Sequence, residues 1–327
     1  MSLSEIIYFL GRGPSKSRHL TREEAAFAMS LILDGKAEPE AVGAMLMLLR
    51  YRGESAAEIA GFVDAIRTRT ETWSTLPAQL DWPSYAAGRS RGHPWFLLSA
   101  KLVAAAGHKV LLHGWNSHQN PIASVRDALD GIKINTCCTP QDTTAELARS
   151  NIAYVPVEAF HPELLKLFKL RDILGLRSPI NTALRALNPT RANASIQGVF
   201  HPSYRELQQD AAQLLGQERL TVIKGGGGEF ERNPSKDTAL MRLIGSQRSE
   251  ETISAIYEGA RRLNAENTTS SDLIDIWIGT KHDLFFTSII TGTAALALET
   301  ADPTLTRARA HQLAEDLWLR RHQSHAA

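Results

Sequence analysis

The sequence predicts an α/β protein in which a small all-helical N-terminal subdomain precedes a larger subdomain built on a mostly parallel sheet. Three observations carry this reading. Residues 1–70 show helix caps and helical apolar spacing throughout; residues 71–83, with Pro77 and Pro83, break that pattern; and from residue 84 short apolar runs alternate with helical stretches. At 327 residues the chain suits one large or two modest domains, and a hydrophobic share of 43% is enough to fill a core.

Taken in order, 3–10 reads as a short helix stopped by Gly11. Thr21 is a candidate N-cap for a helix over 22–33, with Glu24 completing a capping box and Gly35 beyond its end. Pro39 opens a third helix, which is apolar nearly all round and is expected at the centre of the helical unit. Gly53 ends it, and Ser55 starts a fourth helix with Ile59, Phe62, Val63 and Ile66 on one face. Residues 71–83 read as a linker and 84–320 as the α/β part. Strands are predicted at 109–112, 152–157, 196–200 and 220–223; helices at 94–106, 125–129, 142–149, 162–174, 182–187, 202–215, 251–263, 284–298 and 304–319. The tail, 321–327, is expected to fray.

The net charge of +1 conceals an uneven distribution. Residues 82–126 hold no Asp or Glu but include Arg89, Arg91, Lys101, Lys109 and Arg126 with four histidines. A second block, 164–205, has Lys166, Lys169, Arg171, Arg177, Arg185, Arg191 and Arg205 against Asp172 alone. The remainder is net acidic. Two basic blocks on an acidic frame point to an anionic partner. No apolar run of membrane-spanning length is expected, so no membrane partner is. The N-terminus is too short and polar for a secretory signal. The adjacent Cys137 and Cys138 read as reduced thiols, which places the protein in the cytoplasm.

Several stretches have the residue types of a site. Lys224 and the glycines 225–228 follow a strand, the usual position of a phosphate-cradling loop, without the spacing of a P-loop or a dinucleotide fingerprint. His113 follows a strand, where an imidazole can bind phosphate or move a proton, although such a residue is more often structural. Glu229 and Glu231 flank Phe230 and would share a face, a weak signal for Mg²⁺ beside a phosphate. Arg89 and Arg91 near Trp82, Trp95 and Trp115 supply the ingredients of single-strand binding, phosphates held by charge and bases stacked on rings. The competing reading makes these tryptophans core. No catalytic triad or zinc spacing occurs, and no catalytic residue is assigned.

Residues 41–67 (AVGAMLMLLRYRGESAAEIAGFVDAIR) and 161–189 (HPELLKLFKLRDILGLRSPINTALRALNP) resemble the anthranilate phosphoribosyltransferase family, glycosyl transferase family 3, and weaker similarity extends over nearly the whole chain. The resemblance implies a nucleoside phosphorylase/phosphoribosyltransferase-like fold, with helices from about 161–189 joining the N-terminal subdomain and a homodimer formed through the helices. In the second segment His161, Arg171, Gly175, Arg177, Asn181, Asn188 and Pro189 match the family's acceptor side. The donor side departs from the pattern. The Gly-Thr-Gly-Gly-Asp loop is replaced by Ser84–Arg91, and Asn-x-Ser-Thr corresponds to His93–Phe96. Lys-His-Gly-Asn survives only as Leu112-His113-Gly114-Trp115-Asn116, and the magnesium-holding Asp-Glu pair falls on Phe230-Glu231.

Those departures resemble a branch of the family that binds nucleic acid and lacks the transferase activity. The first reading is therefore a sequence-nonspecific DNA- or RNA-binding dimer without cofactor, with Arg89, Arg91, Lys101, His113, Lys166, Lys169, Arg171, Arg177, Arg185 and Lys224 as phosphate contacts. The alternative is a phosphoribosyltransferase with an altered acceptor held by His161 and Arg171, using phosphoribosyl diphosphate with Mg²⁺ at Glu231. A scaffold docking another protein through its helical face is a third possibility.

Overall fold

A computed structural model describes residues 1–13, 15–86, 92–115, 121–261 and 269–322. Four helices open the chain: α1 (Leu3–Gly11), α2 (Arg22–Leu33), α3 (Pro39–Arg52) and α4 (Ala56–Arg69). Ser2, Thr21 and Ser55 cap α1, α2 and α4, each in a full capping box with Glu5, Glu24 and Glu58. Glu58 does more than cap. Its buried carboxylate also accepts from the Leu20 amide at 2.9 Å, tying the first turn of α4 to the chain entering α2.

Of these four, the most enclosed is α4, not α3 as the apolar count of α3 suggests. A Cβ at Gly61 would stand 2.2 Å from the Arg22 carbonyl oxygen, so only glycine allows α2 and α4 to approach this closely. Helix α3 buries Val42, Met45, Leu46 and Leu49 but leaves Tyr51 91% exposed. Its apolar excess therefore faces outward as well as inward.

The larger part comprises β1 (Leu80–Ser84), α5 (Phe96–Ala105), β2 (Val110–Gly114), α6 (Val125–Leu129), α7 (Pro140–Ser150), β3 (Ile152–Pro156), α8 (Val157–Phe160), α9 (Pro162–Leu174) and α10 (Ile180–Arg185). It continues through β4 (Ala194–Val199), α11 (Ser203–Leu214), β5 (Arg219–Lys224), β6 (Thr238–Ile244), β7 (Gln247–Ile253), α12 (Asp272–Ile278), α13 (Leu284–Ala301) and α14 (Arg307–Arg320). One seven-stranded sheet runs β3-β2-β1-β4-β5-β6-β7. The first five strands are parallel, and β6 and β7 add an antiparallel hairpin, so the sheet is mostly parallel as expected.

One sheet face, with Trp82, Leu112, Tyr154 and Ile196, packs on α5 and α13. The other, with Leu111, Ala153 and Val155, shares a core with the N-terminal helices, α9 and α10. Helix α13 is by length and composition apolar enough to cross a bilayer, contrary to the sequence expectation. In this fold it is the central core helix, 78% buried.

Two elements escaped the sequence reading. Residues 80–83, assigned to a linker over 71–83 because of Pro77 and Pro83, form β1 at the centre of the sheet. The acid Asp81 is tolerated there because it is hydrogen-bonded on both oxygens. Pro83 is tolerated because β1 pairs with β4 only at Leu80 and Asp81, before the two strands part. Residues 251–253, taken as the start of a helix, instead end the exposed edge strand β7, which returns from β6 through Gly245 at φ +57°. Of the tail expected to fray, 323–327 lies outside the described residues.

Candidate functional site

In an open parallel sheet the ligand crevice forms at the carboxyl ends of the strands, where the winding reverses. Here that point lies between β1 and β4. Because β1 and β4 pair for only two residues, their carboxyl ends splay, and what fills the gap decides what the site can hold.

Beside the gap runs a fully buried polar chain. Ser195 Oγ donates to Asp81 Oδ2 at 2.8 Å, and Asp81 Oδ1 lies 3.0 Å from His113 Nε2. His113 Nδ1 lies 2.8 Å from the Tyr85 hydroxyl. A carboxylate can only accept, so the network places a proton on Nε2, and in the neutral imidazole Nδ1 accepts from tyrosine. Burial pushes the Tyr85 hydroxyl well above its ordinary pKa. The Tyr85 carbonyl accepts from Arg185 Nη2 at 3.2 Å and Asn181 Nδ2 at 3.4 Å, so the chain joins β1, β2, β4 and α10. His113 is thus a core residue. The expectation that it contacts phosphate fails on burial and on two committed ring nitrogens.

The gap itself is filled by residues 229–231. A Cβ on Gly198 of β4 would fall 1.9 Å from the Glu229 carbonyl carbon, and one on Gly225 would fall 1.6 Å from the Glu229 carbonyl oxygen. These two glycines admit the Glu229 backbone. The Glu229 carboxylate accepts from Ser84 Oγ and the Ala86 amide, both at 3.0 Å. Glu231 accepts from the Phe96 amide at 3.0 Å, at the first turn of α5. Between them Phe230 turns into the core against Trp82. Both carboxylates are buried.

The glycine run therefore has a different use from a phosphate cradle. The Gly225 amide donates to Val199, Gly226 to Glu231 and Gly228 to Gly225, while Glu229 donates to Gly226. These amides are spent on backbone carbonyls, and the exposed Lys224 at the base of the loop faces out. Mg²⁺, the ion expected at Glu231, keeps several waters and near-octahedral geometry; both carboxylates are buried, and Glu229 Oε1 and Glu231 Oε2 already accept from backbone amides and a hydroxyl. Among the described residues no cluster of three or more His, Cys, Asp or Glu is placed to hold a metal.

The expected cations divide into three groups. Arg89 and Arg91 lie outside the described residues. Lys101 points away from the crevice, with its ammonium on the Ile132 carbonyl and 4.7 Å from the Trp277 ring centroid. Burial lowers its pKa to about 8, a second correction. Arg185 is also buried, its pKa lowered to about 10 by desolvation, and it braces the Tyr85 carbonyl instead of facing solvent. Lys166 pairs with Glu163 at 2.5 Å on exposed α9, and Lys169 is exposed on the same helix.

Arg171 and Arg177 sit half-buried at the far end of α9 and just beyond it. Burial first, then Arg171 and Arg50, lower the Arg177 pKa, and Arg177 has no hydrogen bond or ion pair among the described residues. Arg50 donates to the Tyr204 hydroxyl, which donates to Glu54 at 3.0 Å. Burial pushes the Glu54 carboxyl up. His161 is the N-cap of α9, accepting from the Glu163 amide at 3.3 Å. It lies ten residues, about 15 Å of helical rise, from Arg171, so the two residues cannot grip one small acceptor together. The expected stacking platform also fails. Trp82 and Trp95 are fully buried, packed on Phe96 and Phe286, and only Trp115 is partly open, against Phe168.

The family model of the glycosyl transferase helical bundle domain matches residues 4–70, and that of the glycosyl transferase a/b domain matches residues 96–318. The chain belongs to glycosyl transferase family 3. Among curated relatives, anthranilate phosphoribosyltransferase of Geobacillus sp. is 27% identical over 224 residues, 68% of this chain and 66% of that protein. The enzyme of Methanosphaerula palustris is 27% identical over 257 residues, 78% of this chain and 75% of its own length. The chain thus spans about two thirds to three quarters of these relatives. Among solved structures, the anthranilate phosphoribosyltransferase of Thermus thermophilus superposes with a TM-score of 0.78 at 19% identity, covering 98% of this chain and 95% of that one. The Saccharomyces cerevisiae enzyme in complex with PRPP and Mg gives 0.76 at 17% identity, covering 98% and 96%. At these identities the superpositions establish the fold.

Sequence reasoning missed the residues that organise this family member's crevice: Asp81, Ser195, Arg50, Tyr204, and the two glutamates in their role as backbone caps. A signal existed for Asp81, since an isolated acid in an apolar run needs a buried partner. None existed for Gly198, which looks like any other glycine until its neighbour is known.

Proposed function

We propose that the protein binds an anionic, phosphate-bearing pentose in the crevice over β1, β4 and β5 and acts as a phosphoribosyltransferase with an acceptor other than anthranilate. The observation that carries the reading is Arg177, a half-buried guanidinium beside Arg171 and Arg50 with no counter-ion among the described residues. An uncompensated cation in a low-dielectric site calls for an anion. The relatives named anthranilate phosphoribosyltransferase support pentosyl transfer as the reaction. The altered donor side supports a changed substrate set.

Heat stabilisation by phosphoribosyl diphosphate tests this. A one-site ligand at 100 times its dissociation constant adds about 2.7 kcal/mol. The absence of any shift would sink the reading.

A second reading, nonspecific binding of DNA or RNA, draws on one specific observation: the amides that would cradle a small diphosphate are already capped, while Lys169 and Lys224 face solvent. Fluorescence polarisation of a labelled oligonucleotide at two salt concentrations decides between the two. Tight binding that falls steeply with salt, at about 0.7 to 0.9 released counterion per neutralised phosphate, favours the polymer.

For assembly we propose a homodimer through the helical part. Tyr8, Tyr51, Ile173 and Leu176 are exposed by 59, 91, 80 and 56% on α1, α3, α9 and the turn after α9, and are the side chains such an interface would bury. Light scattering that returns a monomer mass of 36.0 kDa would overturn it.

A further inference from the structure

Besides Arg177, the crevice holds a second guanidinium without an ion pair among the described residues, that of Arg185. We propose that Arg177 and Arg185 form one two-guanidinium subsite beside Tyr204, and that the acceptor it takes carries two negative charges, as a dicarboxylate or a phosphate monoester does. The inference rests on the proposed transferase reading and adds the class of the acceptor.

The two groups come from neighbouring elements. Arg177 follows α9, and Arg185 ends α10. Tyr204, at the start of α11, stands beside both. One turn further along the same face of α11, Gln208 donates to the Thr182 carbonyl of α10 at 3.0 Å, so this face lies on the helix that carries Arg185. The charges confirm the proximity. Burial first lowers the pKa of each arginine; Arg177 lowers that of Arg185 further, and Tyr204 acts on both.

The nearby acids leave these two cations over. Glu54 is tied to Arg50 through the Tyr204 hydroxyl, which accepts from Arg50 Nη1 and donates to Glu54 Oε2 at 3.0 Å, so that cation and that acid offset each other. Glu229, whose charge Arg185 also feels, gives Oε1 to the Ser84 hydroxyl and the Ala86 amide. Arg185 is 94% buried, since its relative exposure is 6%, and Nη2 bonds the Tyr85 carbonyl at 3.2 Å while Nε and Nη1 make no hydrogen bond among the described residues. Arg177 is half-buried and makes none. Arg185 thus forms the floor of the subsite and Arg177 its open side. A guanidinium held in a low-dielectric site without a carboxylate is stabilised by an incoming anion, and its planar fork suits carboxylate or phosphate oxygens. Two such groups favour a ligand with two charges over one.

The test is calorimetric titration of benzoate, phthalate and inorganic phosphate into the full chain, at low salt and a pH where phosphate is a dianion. Wild type should bind phthalate or phosphate at least about tenfold tighter than benzoate, the worth of one more hydrogen bond between charged groups. The tighter of the two tells whether the second charge belongs on a second carboxylate or on one phosphate. Arg185→Gln and Arg177→Gln should each remove the preference, with circular dichroism to confirm folding. Arg177 has no bond to lose, so its variant decides the matter if Arg185→Gln does not fold. The proposal is overturned if benzoate binds as well as both dianions, if no probe binds, or if either folded variant keeps the preference. Thermal melts with phosphoribosyl diphosphate separate the two claims. A dianion preference without stabilisation by the sugar diphosphate leaves the subsite standing and removes the transferase reading; stabilisation without the preference does the reverse.

Discussion

Replacing Gly198 by Ala probes the wedge directly. The new Cβ would stand 1.9 Å from the Glu229 carbonyl carbon, 2.1 Å from its oxygen and 2.3 Å from the Phe230 amide nitrogen, all backbone atoms with no rotamer to yield. To reach ordinary contact the segment must retreat by roughly 1.5 Å, further than any hydrogen bond can stretch. Three bonds to carboxylates, now at 3.0 Å, would then break: Ser84 to Glu229, Ala86 to Glu229 and Phe96 to Glu231. Hydrogen bonds to charged groups are worth about 1.5 to 3 kcal/mol each, and overpacking adds about 1 to 3. Water entering the opened gap returns part of this, so the expected loss is about 3 to 6 kcal/mol. Urea unfolding followed by circular dichroism, with an unchanged m-value, measures it. A loss below about 1 kcal/mol would mean that the 229–231 segment is not wedged and would refute the packing argument.

Three other outcomes follow from the same reasoning. Gly61→Ala places a Cβ 2.2 Å from the Arg22 carbonyl and should cost about 3 kcal/mol or more in a thermal or urea melt, by forcing α2 and α4 apart. Lys101 has a folded pKa of about 8, lowered by burial from 10.5, so the folded state holds fewer protons between those values and stability from this group rises with pH across them. Lys101→Met removes that rise, so between about pH 7.5 and 9.5 the wild type should gain up to about 2 kcal/mol relative to the variant, and equal slopes in paired urea titrations would contradict this. Arg177→Ala should leave stability within about 0.5 kcal/mol while weakening diphosphate or oligonucleotide binding about tenfold, read by calorimetry.

The fold class was legible because it rests on patterns the chain repeats: capping boxes at Thr21 and Ser55, and strand–helix alternation after residue 84. What hid was set by long-range partners. Asp81 and Pro83 argued against a strand locally. Yet β1 exists because His113 and Ser195, far along the chain, satisfy the acid, and because β4 diverges before the proline. The site was misread for a related reason. A block of basic residues says nothing about direction, and the fold turns Lys101 and Arg185 inward and caps His113 from both sides. The four glycines signalled a cradle, but the amides of Gly225, Gly226 and Gly228 are already spent on backbone carbonyls. Arg171 and Arg177 could be placed as neighbours from the sequence, since both lie within one helix and its exit.

The most direct measurement is thermal unfolding of the wild type and of Arg177→Ala with and without phosphoribosyl diphosphate. The proposed function predicts that the ligand raises the melting temperature of the wild type and that Arg177→Ala loses most of that rise. No rise in the wild type, or an equal rise in the variant, would contradict it.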